Sequence, residues 1–227
     1  MKKLIWLAST GLLTLGLAPA MAADFSEANP VVAPPKAAAP APTNTFAVEF
    51  DPELAAKTGA IKGGDVADYY GKMTYSHTFD GGWYASAFFQ PQYNLHPGKT
   101  DLWKYYAEGD VGYKYKTGIF TFTPSAGIGY VWGDTGVTKT NPAALYYAFY
   151  LAGDMKIDSH WTLNMFNARF RDAFDYEWIT PKVSTGLTYN INAYNALFVT
   201  AGYSWKDTGH GMNPDKINFG AGYKVNF

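Results

Sequence analysis

The last eleven residues of the chain alternate strictly. Ile217, Phe219, Ala221, Tyr223, Val225 and Phe227 fall on one face, and Asn218, Gly220, Gly222, Lys224 and Asn226 fall on the other. A period of two is that of a β-strand, whose successive side chains point to opposite sides. Similar runs recur from about residue 66 onward, each about 11 to 14 residues long, whereas strands of soluble domains average about 5 to 6. Runs of that length cross a bilayer at a tilt. A strand in lipid must have every backbone group paired, so such runs have to close into a barrel. This argues against a soluble sandwich or a lipocalin-like barrel.

The closing strand, with its apolar alternation and terminal aromatic carboxylate, resembles the C-terminal signature of bacterial outer-membrane β-barrels. The resemblance implies that Phe219, Tyr223, Val225 and Phe227 form an assembly signal read by the barrel-assembly machinery. It implies a small, porin-like barrel in the bacterial outer membrane, in contact with its lipids and lipopolysaccharide.

The other end of the chain agrees with export. Met1-Lys2-Lys3 is a short basic start, Leu4 to Leu17 is mainly apolar, and Ala20-Met21-Ala22 is a small-x-small cleavage site, so residues 1–22 read as a secretory signal peptide. Residues 23–45 contain a Pro/Ala tract, NPVVAPPKAAAPAPTNT, which cannot build a packed core and reads as an extended periplasmic linker. The barrel is expected over 46–227. Its 18% aromatic content suits a lipid face, and the absence of Cys removes thiol catalysis, disulfides and thiolate metal sites. Beyond Lys2 and Lys3 there are 16 basic and 19 acidic residues with no basic run, which implies no nucleic-acid partner.

Turn signals divide the barrel region into hairpins. Short turns are expected at 80–82, 117–118, 158–160 and 190–195, and longer connections at 94–101, 133–143, 172–176 and 206–214. This rhythm is that of an up-and-down antiparallel transmembrane barrel with short turns on the periplasmic side. Nine strands follow directly, the seventh of them over 177–189. Barrels of this type have an even number of strands, so a further strand is expected near 43–51, where Phe46, Val48 and Phe50 alternate with polar neighbours. A connection over 52–65 would follow it as the first external loop, because Pro52 ends the strand early. Ten strands is the expected count and eight the alternative.

Alternation assigns a lipid face that includes Met73, Tyr75, Val111, Ile128, Phe149, Ile179, Val183, Leu197 and Val199, with Trp83, Trp132, Trp161 and Trp205 as interfacial anchors. The opposite face places Lys72, Lys104, Glu108, Asp110, Lys114, Asp154, Lys156, Arg169, Arg171, Lys182 and Lys224 in the lumen. The two arginines share that face only if a β-bulge near Met165-Phe166 shifts the phase. Inward glycines, among them Gly127, Gly129, Gly202, Gly220 and Gly222, would leave room for water.

Catalysis has little support. His77, His96, His160 and His210 are scattered, and Ser76 and Ser159 sit next to a histidine in sequence, where strand neighbours point apart. Asp207 and His210 form the one local acid/histidine grouping, which reads as a solvated loop. No metal-ligand spacing and no cofactor motif is present in the sequence. The expectation is a non-enzymatic, porin-like narrow channel for small solutes with a mild anion preference. The alternatives are a plugged structural or adhesive barrel and, less favoured, an outer-membrane enzyme of the lipid A-modifying or protease type.

Overall fold

The first and last strands are hydrogen-bonded to each other. Asn44 and Phe227 exchange N–H···O bonds of 2.9 Å each way, and Phe46, Val48 and Phe50 lie opposite Val225, Tyr223 and Ala221. That seam closes an antiparallel barrel in the computed structural model of the protein, which describes residues 43–57, 60–95, 103–133, 143–175, 177–207 and 211–227. The signal peptide and nearly all of the Pro/Ala tract lie outside these residues.

The strands are β1 (Asn44–Lys57), β2 (Ala60–Thr78), β3 (Trp83–Asn94), β4 (Trp103–Tyr113), β5 (Tyr115–Thr117), β6 (Phe120–Gly133), β7 (Ala144–Lys156), β8 (Trp161–Ala173), β9 (Lys182–Asn190), β10 (Asn195–Asp207) and β11 (Met212–Asn226). β4 and β5 are two pieces of one strand. Both pair with β6 in one register, and they are parted at Lys114, whose N–H reaches the Gly82 carbonyl at 2.8 Å. The barrel is therefore ten-stranded, each strand paired with its neighbours in sequence. Both ends of the described chain and the turns at 79–82, 118–119, 157–160 and 191–194 share one rim. Gly81 and Gly82 (φ +81° and +94°) turn the first of these, a conformation that favours glycine. In the third, the Asp158 carboxylate accepts the N–H groups of Trp161 and His160, each at 2.7 Å, which holds that carboxyl below its ordinary pKa.

Two expected loops are strand instead. β1 runs through Pro52 to Lys57, and β2 starts at Ala60, so 52–65 is mostly hairpin. Pro52 is accommodated because the ladder to β11 lapses at Asp51 and Pro52, where proline has no N–H to give, and resumes at Glu53 in the same phase. β10 and β11 likewise extend to Asp207 and from Met212. Pro214 is absorbed by a register shift between Ser204 and Trp205 that leaves Asp215 as the extra residue. One expected strand is shorter: Glu177 to Pro181 is irregular, and β9 begins at Lys182. The bulge on β8 falls at Met165, since Gly153 faces Phe166 but Asp154 faces Asn164. It returns Asn167, Arg169 and Arg171 to the lumen and turns Phe166, Ala168 and Phe170 outward.

The outer surface carries exposed Phe46, Val48, Phe50, Met73, Tyr75, Val111, Ile128, Phe149, Leu151, Val183, Leu197, Val199 and Phe219. A lipid-facing barrel needs such a surface, and a water-soluble one does not. Trp83 and Trp161 lie towards the turn rim. Towards the other rim Trp103, Tyr105, Trp132 and Phe89 form a chain of stacked or tilted rings with centroids 5.6 to 6.2 Å apart.

Inside, three glycines sit directly opposite an aromatic residue on the next strand: Gly112 opposite Tyr84, Gly129 opposite Tyr146 and Gly222 opposite Phe198. A Cβ built on any of them would collide with that ring. These inward glycines are therefore seats for rings rather than open space, the pairing known as aromatic rescue. Tyr146 is fully buried in this way.

Two outcomes follow from this architecture. Gly129→Ala should lower the unfolding midpoint of the detergent-folded barrel by the equivalent of about 1–3 kcal/mol, as an overpacked interior does. Gly71→Ala, whose Cβ meets only the Glu49 carbonyl at 3.9 Å, should cost far less. Urea titration of both variants checks this, and equal midpoints would contradict the seating of Tyr146. For topology, Asp175→Cys should react with an impermeant maleimide on intact cells and Ser159→Cys should not. The opposite pattern would reverse the barrel.

Candidate functional site

The strands that pass inward at mid-barrel and towards the loop rim enclose a cavity of ≈ 320 Å³. Among the sequence-assigned lumen residues, Lys72, Lys104, Arg169, Arg171 and Lys182 line it. Glu108 and Asp110 are buried in the wall beside it, two residues apart on β4. The Tyr150 hydroxyl donates to Glu108, and Ser86 donates to Asp110 at 3.2 Å. Lys114, Asp154 and Lys224 lie nearer the turn rim and do not line the cavity. Lys114 donates to Thr78 at 2.8 Å with its ammonium 5.3 Å from the centre of the Tyr84 ring, and Asp154 accepts from Asn164 at 2.9 Å. Lys156 is exposed at the end of β7.

Several lining residues lay beyond the sequence assignment. Glu49 and Glu53 face inward from β1 with buried Asp51 between them along the same face. Alternation within 43–51 already sets Glu49 and Asp51 opposite the outward Phe46, Val48 and Phe50, and only Glu53 was hidden by ending the strand at Pro52. Lys216 is on the inward parity of Asn218 and Gly220. It holds Glu53 at 2.7 Å and pairs also with Asp68, bridging β11, β1 and β2 near the loop rim. Gln92 adds a bond to Glu53 at 3.3 Å. Asp51 accepts from the Tyr70 hydroxyl and from Asn218 Nδ2 at 2.5 Å, while Lys182 Nζ reaches the Tyr70 hydroxyl at 3.5 Å from the other side of the lumen. Gly202 lies under these groups, and a Cβ there would collide with Asn218 Oδ1 and stand 3.0 Å from Ser184 Cβ and 3.1 Å from Lys182 Cε.

Trp178 is the least legible of the residues at the site. It follows β8 in the irregular segment, where the Asp172 carboxylate takes its N–H at 2.7 Å and Thr180 N–H bonds the Arg171 carbonyl at 2.9 Å. These bonds fold the segment back onto the barrel and bury the indole against Tyr106 and Tyr146, with ring centroids at 6.3 and 5.6 Å. The Arg171 guanidinium lies over all three rings, at 4.4 Å from the centre of Trp178, 5.0 Å from Tyr106 and 5.2 Å from Tyr146. Its Nε donates to Thr180 Oγ1 at 3.2 Å. Buried arginine is held here by π faces and a hydroxyl rather than by a carboxylate.

The charge of the lining is unequal. Lys72, Lys104, Arg169, Arg171, Lys182, Lys206 and Lys216 face Glu49, Glu53, Asp68 and Asp215 across it. Among the described residues, the ion pairs within 4 Å are those of Lys216. Of the acid/histidine grouping, Asp207 ends β10 and His210 lies outside the described residues. The proposed assembly residues Phe219, Tyr223 and Phe227 are exposed on the outer face, with Val225 half-buried beside them.

No protein-family model matches the chain, and no curated protein matches it. Among solved structures, the β domain of the Bordetella autotransporter BrkA aligns with a TM-score of 0.51 at 12% identity, over 82% of this chain and 100% of that one. An outer-membrane channel from Pseudomonas putida F1 aligns with a TM-score of 0.48 at 10% identity, over 86% and 100%. The NanC porin aligns with a TM-score of 0.47 at 12% identity, over 80% and 100%. At these identities the likeness is one of fold, and the chain has the fold of bacterial outer-membrane β-barrels.

Arg171→Lys tests the aromatic clamp. It keeps the charge and removes the planar stacking surface, so the unfolding midpoint should fall by the equivalent of about 1–2 kcal/mol. Urea titration beside Lys104→Arg, the reverse exchange at a lining cation outside the clamp, measures it, and no difference between the two would refute the aromatic clamp.

Proposed function

We propose that this outer-membrane barrel is a narrow, porin-like passage for small polar solutes with a preference for anions. The observation that carries the reading is the cavity lining, in which seven cationic side chains outnumber four acidic ones. Fixed positive charge in a confined, low-dielectric passage raises the local anion concentration. Three further carboxyls, Asp51, Glu108 and Asp110, are set in the wall outside the lining, where they bond Tyr70, Asn218, Tyr150 and Ser86. The function proposed is transport, with no catalytic residue assigned. The outward strip of Phe219, Tyr223, Val225 and Phe227 is proposed as the part engaged by the assembly machinery, and the remaining apolar surface as the contact with lipid and lipopolysaccharide.

A second reading, a closed structural barrel, has one observation in its favour. The cavity does not extend to the turn rim, where the rings of Tyr84 and Phe198 fill the space over Gly112 and Gly222. Planar-bilayer recording of the refolded protein separates the two. The channel reading expects small unitary currents, a reversal potential on the anion side in a salt gradient, and larger currents from Trp178→Ala. It also expects Arg169→Gln to move the reversal potential towards cations. Silence after verified insertion would establish the closed barrel in its place, and a cation-selective current would refute the anion preference.

A further inference from the structure

Arg169 and Lys182 are direct cross-strand partners on β8 and β9, with both side chains in the cavity lining. Like charges placed opposite each other destabilise a sheet. The usual remedy, a carboxylate between them, is missing among the described residues, whose ion pairs within 4 Å belong to Lys216. Their bonds within the protein are weak ones. One terminal nitrogen of Arg169 meets the Thr180 carbonyl at 3.4 Å, and Lys182 meets the Tyr70 hydroxyl at 3.5 Å. Arg169 Nε is buried and has no protein partner among the described residues, an uncommon state for a buried donor. The next inward pair on the same two strands is Asn167 opposite Ser184, which puts an amide and a hydroxyl beside the two cations in the same cavity.

From this placement we infer that the β8–β9 wall is a binding site for a small oxyanion, a carboxylate- or phosphate-bearing solute, with Arg169 and Lys182 as its charge-bearing ligands and Asn167 and Ser184 as flanking donors. A guanidinium presents two parallel N–H groups to such an anion, and an ammonium adds a point charge. Of the acidic side chains that line the cavity, Glu49 and Glu53 stand on β1, Asp68 on β2 and Asp215 on β11, so none is on β8 or β9. Arg169 thus stands on a wall without a lining carboxylate, and Lys182 reaches from it towards Tyr70, whose hydroxyl is given to Asp51 on the opposite side. The inference deepens the channel reading by naming a solute class and its resting place. Binding itself does not require that the barrel conduct.

The test is isothermal titration of the detergent-folded full chain with two probes, inorganic phosphate and citrate, at low ionic strength. Saturable binding of either probe is expected, weakened about tenfold by Arg169→Gln or Lys182→Gln. Lys156→Gln, at an exposed cation on the turn rim, should leave binding unchanged. The same two variants should raise the urea midpoint of the ligand-free barrel, because each removes one of two opposed charges. A structural role would lower that midpoint instead. Absence of saturable binding for both probes, equal weakening by Lys156→Gln, or a lowered midpoint in both lumen variants would each overturn the site. Binding without conductance would retain the site and refute the channel, whereas conductance without binding would do the reverse.

Discussion

Everything in this molecule depends on the seam between β1 and β11. A strand edge facing hydrocarbon leaves N–H and C=O groups unpaired at several kcal/mol each, so an open sheet of this length has no place in a membrane. Joining Thr45 through Phe50 to Ala221 through Asn226 removes both edges at once. Closure then divides every strand into an outside and an inside. The period of two, a local property of each strand, thereby becomes a global partition between lipid-facing aromatics and lumen-facing polar groups.

Closure also explains which parts of the fold were legible in the sequence. The final strand, the turn rim and the outward residues follow from alternation and turn chemistry. The tenth strand followed from parity, supported by a weaker local signal in the alternation of Phe46, Val48 and Phe50. The bulge at Met165 could be placed because two arginines in lipid cost far more than one extra residue in a strand. Proline misled at Pro52, which was taken as a terminator, and the expected connection over 206–214 took in a second proline that belongs to a strand. Pro52 and Pro214 both lie within strands, one where the ladder lapses and the other at a register shift. The absent N–H matters only where a neighbour would have used it, and that depends on the partner strand.

The lumen was the harder problem, because its occupants are set by pairing across strands. An inward glycine reads alone as free volume. Once Gly129 is known to face Tyr146, and Gly222 to face Phe198, the same residue reads as a recess made for a ring. Gly202 does the same for a polar group, since the Asn218 amide that bonds Asp51 occupies the place a Cβ would take. Trp178 is less accessible still. Nothing in its neighbourhood distinguishes it from the interfacial tryptophans, and its inward turn depends on the Asp172 carboxylate capturing its N–H.

The charges of the cavity divide into two kinds. Lys216 with Glu53 and Asp68, and Arg171 among Trp178, Tyr106 and Tyr146, are held by partners that the fold itself supplies. Such groups stiffen the wall and have little left to offer a solute. Arg169 and Lys182 are different, since the register sets them against each other and their strongest available partners are a carbonyl and a phenol. Burial of a cation near another cation is a cost that packing alone does not justify, because an apolar or amide side chain would fit the same wall with less strain on the sheet. The fold tolerates the pair because the bonds of the closed ladder are made by the backbone and persist with both charges in place. That separation of ladder from lining lets one inner wall hold charge that the structure itself does not require, and the proposed anion site rests on this surplus.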